Sequence, residues 1–454
     1  MVTTPVSRSS LEDWKYIAEG GSTIVFAYVG LANHLLSNKV LRLRKVKYQT
    51  IGSKDDALAP PLNDLDDPVI VFQHMIIRRL VPDGFLPSLE VVNVDKGWVR
   101  LLAEAAEAQR PEARRLVDQI DLDRETAVLA DNLIGDSGLA VEIKPKWGFL
   151  PRPDHLSPLT RPVKTRTCRF CMHAHAKGAA ENDVPLDFCP LDLYSGDEHR
   201  VRRALCGLWT GWVRTDGGIN NLRIFVDGCV LRPSSDSPSP HRFLTAFMTP
   251  SVPPLNDLQG DFVDTLLPVL LTTPVLSLLS FRQRTLDSLD IEGLAALWAR
   301  IHADGDLFFG AAEPTLEEWT RFVDMYLARC EGASIRAEPD GRQEPDEAEL
   351  QHHCLAYLLS ATFKDCSIVI RFGPRVGSSE QLPGEVVGDV HTTKQGRSLC
   401  SAARAEVKLI DLDVKSIRRL TKWERMDRDI VWAYALVDDP RTCVDSLAGM
   451  WGVP

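Results

Sequence analysis

The order of elements predicts an α+β protein, with a smaller β-rich lobe followed by a larger lobe of mixed α and β character. Strand-like alternation is concentrated early, in Thr23–Val29 and Lys39–Leu43. Helical spacing dominates later, in Leu255–Leu279, Ile291–Ala303 and Thr315–Cys330. Two further strands, Ser367–Phe372 and Glu406–Ile410, return near the C-terminus. A length of 454 residues suits two or three ordinary domains or one large two-lobed enzyme.

Taken in order, Tyr16–Leu43 reads as a hairpin. The Gly20-Gly21 pair before its first strand allows backbone amides to approach phosphate oxygens, or simply marks a tight turn. Asp67–Leu80 reads as a helix, with Asp67 as cap and Pro68 at the first helical position. Leu101–Ala108 follows as a helix, and Ala127–Asp131 and Leu139–Ile143 as strands. Lys146–Arg166, with prolines at 151, 153, 158 and 162, is expected to be irregular. A helix begins near Phe170, and Leu222–Val226 pairs with Cys229–Arg232 across Asp227-Gly228. Ser234–Pro240 reads as a loop and Ala337–Asp346 as an acidic linker. Glu347–Thr362 reads as a helix, and a basic helix starts near Ser416.

The bulk numbers exclude several classes. A net charge of −11 disfavours a general nucleic-acid or membrane-binding surface, so an anionic ligand needs a local basic pocket. No apolar run reaches transmembrane length, and the N-terminus lacks an apolar signal core. The chain is therefore expected not to be secreted, and its ten cysteines to be reduced thiols.

The most chemically pointed stretch is Glu142-Ile143-Lys144-Pro145-Lys146. If extended geometry continues through the proline, Lys144 and Lys146 project to one side, beside an acid. That arrangement suits a polyanion and a metal-phosphate, although a solvated strand end has the same composition. Asp365 and Asp411 each sit at the edge of a predicted strand, where carboxylates can converge to hold magnesium, or serve as caps and turn residues. Lys415, Arg419 and Lys422 share a helical spacing, as a phosphate-binding or a solvated face. Asn220-Asn221-Leu222-Arg223 offers polyol and phosphate donors. Cys168-x2-Cys171 with Cys189 has the residue types for zinc but no second well-spaced pair, which leaves buried thiols as the other reading. Cys330, His352, His353 and Cys354 are expected to be buried thiols and helix-surface histidines.

Together these motifs resemble the inositol-pentakisphosphate 2-kinases. The resemblance is carried by Glu19-Gly20-Gly21-Ser22, Lys39-Val40-Leu41-Arg42, the Glu142–Pro151 segment, Arg169-Phe170-x-Met172-His173 with Lys177, and Cys189-Pro190-Leu191-Asp192-Leu193-Tyr194-Ser195-Gly196. Asn220–Arg223, Ser360–Ser367 and Ile410-Asp411-Leu412 with Lys415 complete it, in family order over nearly the whole chain. It implies ATP-dependent, magnesium-dependent phosphorylation of the 2-hydroxyl of inositol 1,3,4,5,6-pentakisphosphate to give the hexakisphosphate, phytate. The alternatives are a kinase for another inositol phosphate and a non-catalytic sensor.

The resemblance also implies a two-lobed inositol-phosphate-kinase fold distantly like protein kinases, with residues 1–145 as N-lobe and 146–454 as C-lobe. Gly20, Gly21, Ser22, Thr23 and Arg42 would contact ATP phosphates. Ala130, Asp131 and Asn132 would form the adenine hinge, with Glu142 and Arg223 also serving the nucleotide. Lys144 would stabilise the transferred charge, Asp365 would orient or deprotonate the 2-hydroxyl, and Asp411, with Asp365, would hold magnesium. Lys47, Arg114, Lys146, His173, Lys177, Asn220, Asn221, Lys415 and Arg419 would hold substrate phosphates. Trp423 stands where the family often has tyrosine, and an indole N–H donates but does not accept. Plant members carry a structural zinc with a Cys-x2-Cys pair, absent around Cys330. With His173 and Lys177 turned to substrate, no structural zinc is expected here. A monomer in the nucleus or cytoplasm, without nucleic-acid or membrane partners, completes the expectation.

Overall fold

A computed structural model describes residues 6–20, 23–48, 68–135, 138–181, 187–234, 258–302, 307–308, 310–331, 346–372 and 405–449. It is an α+β protein built on two antiparallel sheets. The first contains β1 (Trp14–Glu19), β2 (Thr23–Tyr28), β3 (Lys39–Lys47), β4 (Leu89–Asn93), β5 (Asp118–Ile120) and β6 (Thr126–Asp131), ordered β1-β2-β3-β6-β4 with β5 paired to β3. The expected hairpin is thus part of a larger antiparallel sheet. The short strands β4 and β5 gave no period-2 signal strong enough to be read.

Alternation along these strands sorts two apolar faces. Ile24, Phe26, Leu41, Leu43 and Leu129 pack with Trp14, Trp98 and Leu102 on one side. Ala27, Val40, Val128 and Ala130 form a smaller cluster with Ile70 and Leu89 on the other. Three helices accompany this sheet: α1 (Pro68–Met75), α2 (Lys96–Ala106) and α3 (Glu112–Arg115). Asp67, the expected cap of α1, lies outside the described residues. The first helix ends at Met75 and continues only as a 3-10 turn, Ile77–Arg79. The second starts at Lys96, ahead of the expected Leu101, because the Asp95 carboxylate caps it by accepting from Trp98 N at 2.8 Å.

The second sheet contains β7 (Leu139–Ile143), β8 (Leu222–Val226), β9 (Cys229–Leu231), β10 (Ser367–Phe372) and β11 (Ala405–Ile410), ordered β11-β10-β7-β8-β9. The change of sheet therefore falls between Asp131 and Leu139. This connection is pinned to β10: Arg371 donates to Asn132 O at 3.2 Å. Gly135, at φ +65°, adopts a left-handed backbone that favours glycine, and a Cβ there would also require the Arg371 guanidinium, 2.7 Å away, to shift.

The remaining helices are α4 (Arg161–Lys164), α5 (Arg169–Glu181), α6 (Pro190–Leu193), α7 (Glu198–Arg214), α8 (Leu258–Thr272), α9 (Val275–Leu286), α10 (Asp290–Ile301), α11 (Leu316–Glu331), α12 (Glu347–Asp365) and α13 (Leu420–Tyr434). The expected helix Leu255–Leu279 is two helices, because Pro274 breaks the ladder and the axis bends by 60°. One continuous core joins β7, β8 and β10 to α7–α12. Among the described residues no single helix is long and apolar enough to cross a membrane. The segment Lys146–Arg166 is mostly irregular, as its prolines require, but it is anchored. Its single-turn helix α4 buries Lys164, whose ammonium donates to Asp427 at 2.8 Å and also pairs with Asp290. The loop after Ser234 and the linker before Asp346 lie outside the described residues.

Candidate functional site

Strand β7 ends at Ile143, and the next residues continue as irregular backbone. Extended geometry does not continue through them: Lys146 adopts φ +63°, a left-handed conformation costly for a residue with a Cβ. The surrounding structure holds it there. The Lys146 carbonyl accepts from Gln283 Nε2 at 3.0 Å and from Tyr194 Oη at 3.3 Å. The buried Gln283 amide also donates to Phe363 O at 3.0 Å and accepts from Gly148 N at 2.8 Å. One side chain of α9 thereby fixes both the lysine turn and the end of α12.

The lysines nonetheless converge. Lys144 Nζ donates to Asp411 Oδ2 at 3.2 Å and lies 3.5 Å from Asp365 O. Lys146 Nζ and Lys415 Nζ donate to opposite oxygens of Asp365, at 3.1 and 3.0 Å. Asp365 closes α12, and Asp411 follows β11 with φ +61°. Adjacent antiparallel strands β10 and β11 bring the two carboxylates together. Partial burial by itself would raise the Asp365 carboxyl, but Lys415 and Lys146 outweigh it and hold the group at about 2. Burial likewise opposes the Lys144 charge, and Asp411 and Asp365 overcome it, leaving its pKa above the ordinary lysine value. The site thus presents three lysine side chains around two carboxylates.

Other expected residues surround this cluster. Glu142 is buried, accepts from Ser367 Oγ at 2.8 Å and lies 3.5 Å from the Arg223 guanidinium, its cross-strand neighbour. Asn221 clamps Lys144 through both backbone groups, donating from Nδ2 to Lys144 O at 2.9 Å while its carbonyl accepts from Lys144 N at 3.0 Å. Asn220 is exposed beside it. His173 and Lys177 occupy one face of α5. Partial desolvation and the charges of Arg169, Lys177 and Lys146 keep the His173 imidazole below its ordinary pKa. Lys415 and Arg419 are not on one helix: Lys415 precedes a 3-10 turn, Ile417–Arg419, and α13 starts only at Leu420. Ser416 Oγ accepts from Arg418 N, and the carboxylate of the sequence-distant Glu313 takes Ile417 N at 3.1 Å, so a separate turn forms first. Trp423 packs on the core 6.2 Å from the Tyr357 ring.

On the first sheet, Gly20 closes the β1–β2 turn by donating to Thr23 O at 2.8 Å, while Gly21 and Ser22 lie outside the described residues. Arg42 lies on β3 between Val25 and Val128. Ala130 is buried in β6, Asp131 pairs with Lys39 at 2.7 Å, and Asn132 N donates to Asn38 O at 2.8 Å. Lys47 at the end of β3 and Arg114 on α3 are exposed. Cys354 is buried as expected, but Cys330 is exposed rather than buried, and among the described residues that set forms no metal-binding group.

Sequence reasoning missed Gln283, and it gave no individual role to the motif residues Tyr194 and Ser360, the latter donating its hydroxyl to Gln283 O at 2.9 Å. A buried glutamine inside a helix carries no local signal. It also missed Cys443, which joins Cys168, Cys171 and Cys189 in one buried group.

Lysines that share two carboxylates at the meeting of two strand ends define a phosphate-handling enzyme, in which cations receive polyanionic oxygens and carboxylates receive a hard metal ion or a hydroxyl proton. Comparison with known proteins makes this specific. The chain belongs to the inositol-pentakisphosphate 2-kinase family, whose sequence profile matches residues 16–429. It is 32% identical to the inositol-pentakisphosphate 2-kinase of Cryptococcus neoformans var. neoformans serotype D, over 95% of each chain. It is 27% identical to an Oryza sativa subsp. indica relative of the same name over 93% of each chain. A Danio rerio relative is 26% identical over 80% of this chain and 83% of its own.

Proposed function

We propose that this chain transfers the γ-phosphate of ATP to the 2-hydroxyl of inositol 1,3,4,5,6-pentakisphosphate, giving the hexakisphosphate. The observation that carries the reading is the single cluster in which Lys146 and Lys415 grip Asp365 while Lys144 reaches Asp411. A substrate with five phosphates brings roughly −1.5 to −2 charge on each near neutral pH, far more than three lysines neutralise, and draws them strongly. Lys146 and Lys415 then exchange the Asp365 carboxylate for substrate phosphates. Released from two cations, Asp365 rises in pKa and becomes a competent acceptor for the 2-hydroxyl proton. Lys144, held in place through its backbone by Asn221, stays at the transferred phosphoryl group.

The oxygen donors of Asp411 and Asp365 fit a magnesium ion, which when bound would neutralise phosphate charge. Glu142 and Arg223 lie on the same strand pair, one step back toward the sheet, where we place the nucleotide. The adenine would rest against the connection that leaves β6 at Asp131, between an N-lobe formed by the first sheet and a C-lobe formed by the second.

The test is to incubate the protein with ATP, magnesium and the pentakisphosphate and separate products by phosphate number. Hexakisphosphate is expected. Tight binding of both ligands without product would put the sensor reading ahead. Turnover of a different inositol phosphate in its place would favour the other kinase reading.

A further inference from the structure

We propose that Lys364 is a positioning residue, which sets where Lys146 and Asp365 stand relative to each other. This role rests on the reaction proposed above and concerns the same site. Lys364 precedes Asp365 at the end of α12, and successive helical residues point about 100° apart. While Asp365 faces Lys146 and Lys415, the Lys364 side chain turns into the core, where only 3% of it is exposed. Its ammonium pairs with Asp287, itself 5% exposed. Three aromatic rings surround it, with the ammonium 4.8 Å from the Tyr357 centroid, 5.2 Å from Phe149 and 5.9 Å from Trp147.

Two of those rings belong to the segment that carries Lys146. Trp147 follows it directly, and Phe149 lies beyond Gly148. One buried cation therefore joins the residues after Lys146 to the helix end that carries Asp365. Asp287 fixes that cation to α9. It closes the helix, its amide donates to Gln283 O at 3.0 Å, and its Oδ1 accepts from Asp290 N at 2.9 Å. Gln283 fixes the backbone at the same two places, Lys146 O and Phe363 O. Trp147 extends the link, since the Arg169 guanidinium lies 5.1 Å from its centroid and pairs with Asp427 at 2.7 Å. Arg169 opens α5, one helical turn before His173. The supports of Lys146, Asp365 and His173 thus converge around one indole and two cations.

Stability alone does not account for such a pair. Taking an ammonium and a carboxylate out of water costs several kcal/mol per ion, about what their attraction returns. Apolar groups of the same volume would fill the core as well. What the pair adds is a fixed place for the ammonium, drawn at once to Asp287 and to the ring faces. That matters when the direct link fails. Lys146 Nζ and Asp365 Oδ1 are 3.1 Å apart in the free protein, and substrate phosphates displace that contact in the proposed reaction. Lys364, with Gln283 and Tyr194, then keeps lysine and carboxylate in register. A displacement of about 1 Å near a reacting group costs about 10²-fold in rate.

The experiment exchanges the pair for neutral groups of similar size, Lys364→Met together with Asp287→Asn, which keeps the acceptor for Asp290 N. The full-length double variant should fold with a denaturant midpoint close to wild type. Its kcat with the pentakisphosphate should fall about 30–100-fold, while KM for ATP stays within about threefold. A role in stability alone would lower the midpoint and leave kcat unchanged. Amide hydrogen exchange without ligands should quicken together in residues 146–150 and 363–366. If the double variant does not fold, Trp147→Leu, at a half-buried ring, tests the same link. Its kcat should fall about tenfold, with faster exchange at residues 146–150. A folded double variant, or Trp147→Leu, with kcat within about threefold of wild type overturns the positioning role, as does unchanged exchange at both segments. Failure of the proposed reaction reads differently. Wild type itself would then make no hexakisphosphate, and the exchange measurement still decides whether Lys364 joins the two segments.

Discussion

Replacing Asp365 by asparagine separates binding from chemistry at the centre of the site. The substitution keeps the shape of the side chain and removes only its charge and basicity. Lys146 and Lys415, now 3.1 and 3.0 Å from the carboxylate, lose their common anion. The carboxyl stands at about 2 against an ordinary value of 3.8. At about 1.36 kcal/mol per pKa unit that difference amounts to about 2.5 kcal/mol. The side chain is 48% exposed, so solvent screening reduces the figure to about 1 kcal/mol. Asp365→Asn should therefore unfold only slightly more easily than wild type at neutral pH. Because the folded pKa is depressed, this contribution is present in full above the ordinary carboxylate value and is lost as pH falls towards 2. The variant's stability should consequently be flatter than wild type in that window. Turnover behaves differently: loss of the hydroxyl-orienting base lowers kcat by about 10²–10⁴. Both lysines are freed for phosphate, so KM for the pentakisphosphate stays level or falls. Steady-state kinetics by ADP release, with urea denaturation of the same preparations, measure both. A kcat within threefold of wild type, or a large rise in KM with kcat intact, would refute the division of roles between Asp365 and the lysines.

Three further outcomes are expected. Asp411→Asn should raise the magnesium concentration needed for half-maximal rate, and an unchanged magnesium dependence removes Asp411 from the metal site. Gln283→Ala leaves Gly148 N without its acceptor, the Lys146 carbonyl with Tyr194 Oη alone and the Phe363 carbonyl with the weak Cys366 Sγ donor alone. It should cost about 2–4 kcal/mol in denaturant unfolding, and a loss below 1 kcal/mol contradicts its role as the buried hub. Raising salt from about 50 to about 300 mM should lower kcat/KM for the pentakisphosphate steeply, and a flat response counts against a lysine-lined site.

Much of this arrangement was legible because it is written in residue type and local order. Glu142, Lys144 and Lys146 announce themselves by composition, and the apolar runs around them mark the strands that end there. Asp365 and Asp411 could be located at strand edges, although only the β10–β11 pairing shows that they meet. What stayed hidden depends on distant partners. Lys146 carries no sign of its left-handed backbone, because Gln283 and Tyr194 impose it from α9 and from beside α6. Lys164 looks like one more lysine in a basic, proline-rich stretch, yet it is buried against carboxylates of α10 and α13. Lys415 and Arg419 have helical spacing but no common helix, because Ser416 and Glu313 organise a separate turn first. Cys443 stands 254 residues from Cys189, a separation no ligand-spacing rule reaches.

The most direct test of the proposed reaction is the position of the new phosphate. Wild-type protein is supplied with ATP, magnesium and inositol 1,3,4,5,6-pentakisphosphate, and the isolated product is examined by phosphorus and proton NMR. Phosphorylation at the axial 2-position, giving the symmetric hexakisphosphate, is the predicted result. Unchanged pentakisphosphate, or a pyrophosphate with the 2-hydroxyl still free, would contradict it.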